Sequence, residues 1–361
     1  MRAENPGQLI GVIAHETGHI SGGHLIRGQE ALQHSSRHMI LAAILGVAVG
    51  IATGSGEATS AILAGGSGVA TSQFLHFSRG QEAAADQAGL SYLDATRTSG
   101  HGFLEFLEIL QEQDLLHSDR QDAYLRTHPL TRDRVEFVRQ HVNQSPNSGT
   151  TPPLKVTRSF QRIKAKLVGF IGPFRNVMKL YPRDDTSLHA RYAHAIAYYR
   201  RDDLKRALSL VDSLIREEPT NAYFHELRGQ MLFENGRIAQ SLQSYKESVR
   251  LHPESALLRI ALARAQLETV DLAQNRLALN HLHYAIGQER DNPDVWHLLA
   301  IGYGRDQDYG MSALALAERA ITIGDKETAI QQARRAQKLL PKGSTGWVRA
   351  QDIKITTKGR P

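Results

Sequence analysis

Apolar residues recur at near-helical spacing from the start of the chain. Leu9, Ile10, Val12, Ile13, Ile20, Leu25 and Ile26 follow one another at such intervals, and the pattern predicts a helix over 6–34. Pro6 suits an early helical position, and Gly22-Gly23 predicts a bend in the middle. The pattern then changes. Residues 39–53 (MILAAILGVAVGIAT) are almost continuously apolar, and a second small-residue stretch, Ala61 to Ala70, follows Gly54-Ser55-Gly56-Glu57. A helix needs about 20 apolar residues to span a bilayer, so the run is short. A buried Ala/Gly-rich helical hairpin fits it best. A loop that touches or dips into a membrane fits it next, and a transmembrane pair least.

Further helices are predicted over 75–95, over 101–117 with Phe103, Leu104, Phe106, Leu107, Leu110, Leu115 and Leu116 on an amphipathic pattern, and over 131–142, where Thr131 can cap. Residues 143–154 (NQSPNSGTTPPL) are rich in Pro, Ser, Gly and Asn. That composition cannot build a core and marks a linker. From about 185 the chain reads as paired amphipathic helices. Pro219 and Pro253, 34 residues apart, each close a similar unit with a turn such as Arg201-Asp202-Asp203 or Asn235-Gly236-Arg237. A period of 34 with a terminal proline is the signature of tetratricopeptide (TPR) repeats. Ala195 and Gly229 fall where the two helices of a unit cross, and Ala207 and Tyr245 fall on the second helices. A third unit is stretched to 40 residues before Pro293; a fourth opens at Val295-Trp296 with Tyr303, and another helix runs from Glu327 to Leu340. The competing reading is a generic helical bundle.

The formal charge of +6 is spread over 43 basic and 37 acidic residues, so a solvated mixed-charge surface explains it better than a basic face for an anionic membrane or nucleic acid. No nucleic-acid motif accompanies it. Cysteine is absent, which excludes disulfides, thiolate nucleophiles and cysteine-based zinc sites. No pattern of basic start, apolar stretch and small-residue cleavage site precedes His15.

The chemistry concentrates at His15-Glu16-Thr17-Gly18-His19, an H-E-x-x-H pattern on a predicted helix. Residues four apart share a helical face, so two imidazoles can point at one Zn²⁺. Glu16 can take a proton from the attacking water and pass it to the leaving amine. Surface histidines on an exposed helix would produce the same letters. Ile13, Ala14 and Ile20 argue instead for a buried helix, where a charged Glu16 needs a reason to be present. Catalytic zinc wants a third protein ligand, and Glu82 is the best candidate. Asp86, one turn on, can accept a hydrogen bond from a ligand histidine. Ala83, Ala84 and Ala85 between them allow close helix packing. His128, held before Pro129, can stabilise an oxyanion, contact substrate or occupy the open zinc position. His24 is displaced from the ligand face by roughly 140° and reads as structural; His34, His38, His76 and His101 have no partner pattern.

Taken in order, H-E-x-x-H, S-R-x-x-E-x-x-A-D and T-H-P-x-x-x-x-R resemble the HtpX-like gluzincin metallopeptidases, and with repeats behind them the chain is most similar to the periplasmic TPR-containing BepA-like branch. The resemblance spans almost the whole chain. It implies a mainly α fold: a helical zincin-type domain over 1–142, a linker and connecting helix over 143–184, and a TPR-like α-solenoid over 185–345. It implies one zinc per chain held by His15, His19 and Glu82, with Glu16 as catalytic base, Asp86 behind the ligands and His128 in the cleft. It also implies a periplasmic endopeptidase acting on misfolded or stalled envelope proteins, with repeats that hold substrate or the outer-membrane assembly machinery, and peripheral membrane contact through 39–70. Such proteins carry a signal sequence and a longer segment before the zinc helix. Only fourteen residues precede His15, so the chain is expected to lack that segment and most of the strands it would bring. The alternative is a TPR scaffold or chaperone with a latent or inactive protease site.

Overall fold

The structure is a computed structural model that describes residues 3–24, 79–114, 128 and 130–358. Residues 25–34, the apolar stretches 39–53 and 61–70, and the ends of two predicted helices at 75–78 and 115–117 lie outside them. The described residues are mainly helical and contain no strand. Among them, no helix is long and apolar enough to cross a membrane. The chain divides at 164/165 into two units.

In the first unit, α1 (Pro6–Ser21) begins where Asn5 accepts from Gln8 N and Pro6 occupies the first turn. It ends earlier than its apolar spacing predicts. Gly22 and Gly23 leave the helix, Gly23 at φ +64, a conformation open to glycine at no steric cost. Next come α2 (79–95), α3 (His101–Asp114) and α4 (Arg132–Gln144). Thr131 is the cap of α4, accepting from Arg134 N at 3.3 Å. Ala14, Leu90, Leu93, Phe103, Leu104, Leu107, Val135, Val138 and Val142 form the core between these helices.

That core sets the distance between the two helices that matter most. A Cβ on Gly18 would lie 2.6 Å from the carbonyl oxygen of Ala85, so α1 and α2 touch backbone to backbone, one residue from His19 and three from Glu82. The helix is buried on one face only. Ala14, His15 and Gly18 face inward, whereas Ile13 (55% exposed) and Ile20 (71% exposed) do not. The two isoleucines therefore do not bury the helix as the sequence suggested; the small residues do.

After the turns at 145–153, α5 (Leu154–Ile171) spans the boundary between the units, followed by α6 (Phe174–Leu180). The second unit then runs as consecutive pairs: α7 (Leu188–Tyr199) with α8 (Leu204–Glu217), α9 (Ala222–Glu234) with α10 (Ile238–Leu251), α11 (Ala256–Glu268) with α12 (Leu272–Ile286), α13 (Pro293–Arg305) with α14 (Tyr309–Thr322), and α15 (Lys326–Leu339) with α16 (Thr345–Lys358). Ala195 and Ala207 are fully buried, and the Tyr245 ring packs on Gly229 at the crossing of α9 and α10. Core clusters succeed one another along the chain, as expected when each pair buries its apolar face on its neighbours.

The turn inside each of the five pairs carries one left-handed residue, at Asp202, Gly236, Val270, Gln307 and Gly343. The first three are 34 apart, so the third repeat keeps its register up to α12; α12 is then one residue longer than α10 and the connection after it two residues longer, while Pro293 opens α13 where Pro253 stands three residues before α11. A β-branched residue is a poor occupant of such a turn. Val270, 75% exposed at φ 59, has no packing to compensate. Val270→Gly is expected to stabilise the repeat unit by about 1 kcal/mol, visible as a raised melting temperature; an unchanged or lower value would mean that the turn is unstrained.

Candidate metal centre

His15 and His19 project from one face of α1 toward Glu82 of α2. His15 Nε2 lies 3.0 Å from His19 Nε2 and 3.4 Å from Glu82 Oε2, and His19 Nε2 lies 3.2 Å from Glu82 Oε1. His128, four residues ahead of α4, brings Nδ1 to 3.2 Å from Glu82 Oε1 and Nε2 to 3.6 Å from Glu16 Oε1. The imidazoles and carboxylate of His15, His19, Glu82 and His128 offer ligand atoms within 4.8 Å of one another. A tetrahedral zinc sphere with bonds of about 2.0–2.1 Å to nitrogen and oxygen has donor–donor edges of about 3.3 Å. Separations of 3.0, 3.2 and 3.4 Å between His15, His19 and Glu82 fit that edge, and an all nitrogen and carboxylate set suits zinc chemically.

Burial differs within the cluster in a useful way. His15 is fully buried, Glu82 is 3% exposed and His19 13%, whereas Glu16 is 41% exposed. The Glu16 side chain is thus the most exposed of the group. Behind the cluster, His15 Nδ1 is 2.8 Å from Asp86 Oδ1, and the His15 ring lies against Phe103. Asp86 in turn is gripped by Arg134, whose Nε and a terminal nitrogen donate to its two oxygens at 2.7 and 2.9 Å. The other terminal nitrogen of Arg134 reaches Glu82 Oε2 at 2.8 Å. One buried guanidinium thus fixes both carboxylates of α2 from the first turn of α4.

These contacts set the charge states. For Glu82, burial alone would favour the neutral acid, but hydrogen bonds from His128, His15 and His19, with the charge of Arg134, hold it well below the usual carboxylate range. It stays an anionic donor. For His15, burial disfavours the imidazolium, yet the hydrogen bonds to Asp86 and Glu82 outweigh it and raise the pKa above its ordinary value.

Two residues of the cluster carry more than the sequence suggested. Arg134 was visible only as the end of a spacing pattern; the signal was the pair of acids one turn apart on α2, which need a cation if buried. His24 was set aside by its position on the helical wheel, but the helix stops at Ser21, and the ring folds back onto His19, Nδ1 to Nδ1 at 2.8 Å. The Gly22-Gly23 pair was the available signal.

Residues 1–142 match the model of peptidase family M48, and residues 192–256 and 232–286 match that of the tetratricopeptide repeat. A segment that matches peptidase family M48 thus precedes segments that match the tetratricopeptide repeat. It is 25% identical over 325 residues to the beta-barrel assembly-enhancing protease of Yersinia pestis, covering 87% of this chain and 65% of that protein. It is also 25% identical over 353 residues to the protein of that name in Escherichia coli K12, covering 95% and 69%. The chain therefore spans about two thirds of the length of these relatives. Among solved structures, MamA (15% identity, TM-score 0.35, 46% of this chain and 97% of that one) and Pseudomonas aeruginosa pilF (18%, 0.37, 55% and 99%) are similar.

Proposed function

We propose that the chain is a zinc-dependent endopeptidase of the bacterial envelope that cleaves misfolded or stalled outer-membrane proteins, with repeats that bind the substrate or the assembly machinery. The observation that carries this reading is the convergence of His15, His19 and Glu82 at the spacing of a small tetrahedral sphere, with exposed Glu16 beside it. The name of the relatives, beta-barrel assembly-enhancing protease, supports a protease linked to β-barrel assembly. We assign the catalytic part to 1–142, the connector to 143–184 and the repeats to 185–345, and we keep peripheral membrane contact through 39–70 as part of the proposal.

His15, His19 and Glu82 would hold one zinc, which supplies Lewis-acid polarisation of the scissile carbonyl and acidifies water. Glu16 accepts the proton of the attacking water and delivers it to the leaving amine. Asp86 keeps Nδ1–H of His15 engaged so that Nε2 faces the site. The imidazoles of His128, His15 and His19 keep Glu82 ionised, and Arg134 adds its charge and holds the carboxylate in place. His128 Nε2, beside Glu16, can donate to oxygen that gains charge during attack. The test is cleavage of an unfolded β-barrel protein. Activity that is lost with a zinc chelator and returns with added zinc supports the reading; activity indifferent to chelation sinks it.

One observation favours the latent-scaffold alternative as a resting state. His128 sits against Glu82 and within 5.1 Å, ring to ring, of His19, on the side a substrate must use. If closure of the site outweighs the donor role, His128→Ala raises basal proteolysis several-fold, and that is the expected result. Unchanged or lower turnover would mean that His128 serves the reaction rather than closing the site.

A further inference from the structure

Imidazole has two nitrogens, and a histidine that offers one to a metal must do something with the other. His15 turns Nε2 toward Glu82 and rests Nδ1 on Asp86. His19 also turns Nε2 toward Glu82, and its Nδ1 meets His24 Nδ1 at 2.8 Å. The two rings stand edge to face, with centroids 4.9 Å apart at 79°. His24 is 8% exposed.

The backbone is shaped for this contact. Gly22 N bonds to Gly18 O and Gly23 N to Ile20 O, closing α1. Gly23 at φ +64 then reverses the chain. A Cβ at Gly22 would lie 2.4 Å from Nε2 of His24, so the ring can fold back only over a glycine. Gln81, next to Glu82 on α2, donates through Nε2 to His24 O at 3.3 Å, tying the turn to the helix that carries the carboxylate.

We propose that His24 is the positioning residue for His19, as Asp86 is for His15. The proposal rests on the metal-site reading of His15, His19 and Glu82. A His19 with its lone pair on Nε2 carries its proton on Nδ1. That N–H donates to His24 Nδ1, and His24 keeps its own proton on Nε2. Without this acceptor the His19 ring loses what fixes its tautomer and its rotation. Partners of this kind are worth 10–100-fold in metal affinity.

The test is the zinc affinity of the full chain, measured by competition with a chromogenic chelator, alongside the thermal melt of the metal-free protein. His24→Phe keeps a ring and removes the acceptor. His24→Asn places an amide oxygen near the position of Nδ1. We expect His24→Phe to bind zinc about 10–100-fold more weakly with an unchanged metal-free melt, and His24→Asn to recover most of the loss. Wild-type affinity in His24→Phe would overturn the proposal. Equal losses in both variants would overturn it too, because packing alone would then account for the effect. If the wild-type chain binds no zinc, or Glu82→Gln binds as tightly as wild type, the metal-site reading itself fails and the positioning role falls with it.

Discussion

Arg134→Met is expected to destabilise the first unit by about 3–5 kcal/mol in the metal-free protein, the range seen when one partner of a buried ion pair is removed. Met fills much of the volume of the arginine stem, so packing is largely kept and the electrostatic loss is isolated. Asp86 is fully buried and Glu82 nearly so, and both have the Arg134 guanidinium at 2.7–2.9 Å. Once it is gone, two carboxylates one helical turn apart face each other through a low-dielectric interior. The imidazoles of His15, His19 and His128 remain beside them, but no fixed positive charge does, so the buried acids lose their permanent counter-ion. The measurement is thermal or denaturant unfolding followed by a probe in residues 3–114. A melt within about 1 kcal/mol of wild type would mean that the acids are compensated by something other than this clamp. Arg134→Lys should restore only part of the loss, because a point charge cannot reproduce the fork.

Glu16→Gln should remove about 10²–10⁴ of the cleavage rate while leaving the fold and bound metal intact. The Glu16 side chain is 41% exposed, and across the cleft it faces His128 at 3.6 Å. Glutamine keeps its shape and loses the ability to accept a proton. The decisive comparison is kcat against metal content in the same preparation. A variant that keeps its metal and loses turnover supports the base role. A variant that loses both would place Glu16 among the groups that hold the metal.

Much of this arrangement was legible because it follows from helical periodicity. His15 and His19 are four apart, and Glu82 and Asp86 are four apart, so each pair shares a face, and the structure brings those faces together. The repeat unit was legible for the same reason: a 34-residue period survives in the left-handed turn positions 202, 236 and 270. What periodicity could not convey is which face is inward. Ile13 and Ile20 are the most apolar neighbours of the motif, yet they lie outside, because α1 packs through Gly18 and Ala14, where backbones can approach. It also could not convey His24. A helical wheel assumes that the helix continues, and the turn at Gly22-Gly23 ends it. The 40-residue spacing to Pro293 overstates the change: α12 and the connection after it add three residues, and the rest arises because Pro293 is the first residue of α13 whereas Pro253 precedes α11 by three.

Everything proposed for the first unit depends on one catalytic zinc held by His15, His19 and Glu82. The most direct test is elemental analysis of the chain purified without chelator, beside His19→Ala and Glu82→Gln. About one zinc per folded wild-type chain, lost in both variants, is the predicted result. A well-folded wild-type chain with no zinc, or variants that retain it, would contradict the account.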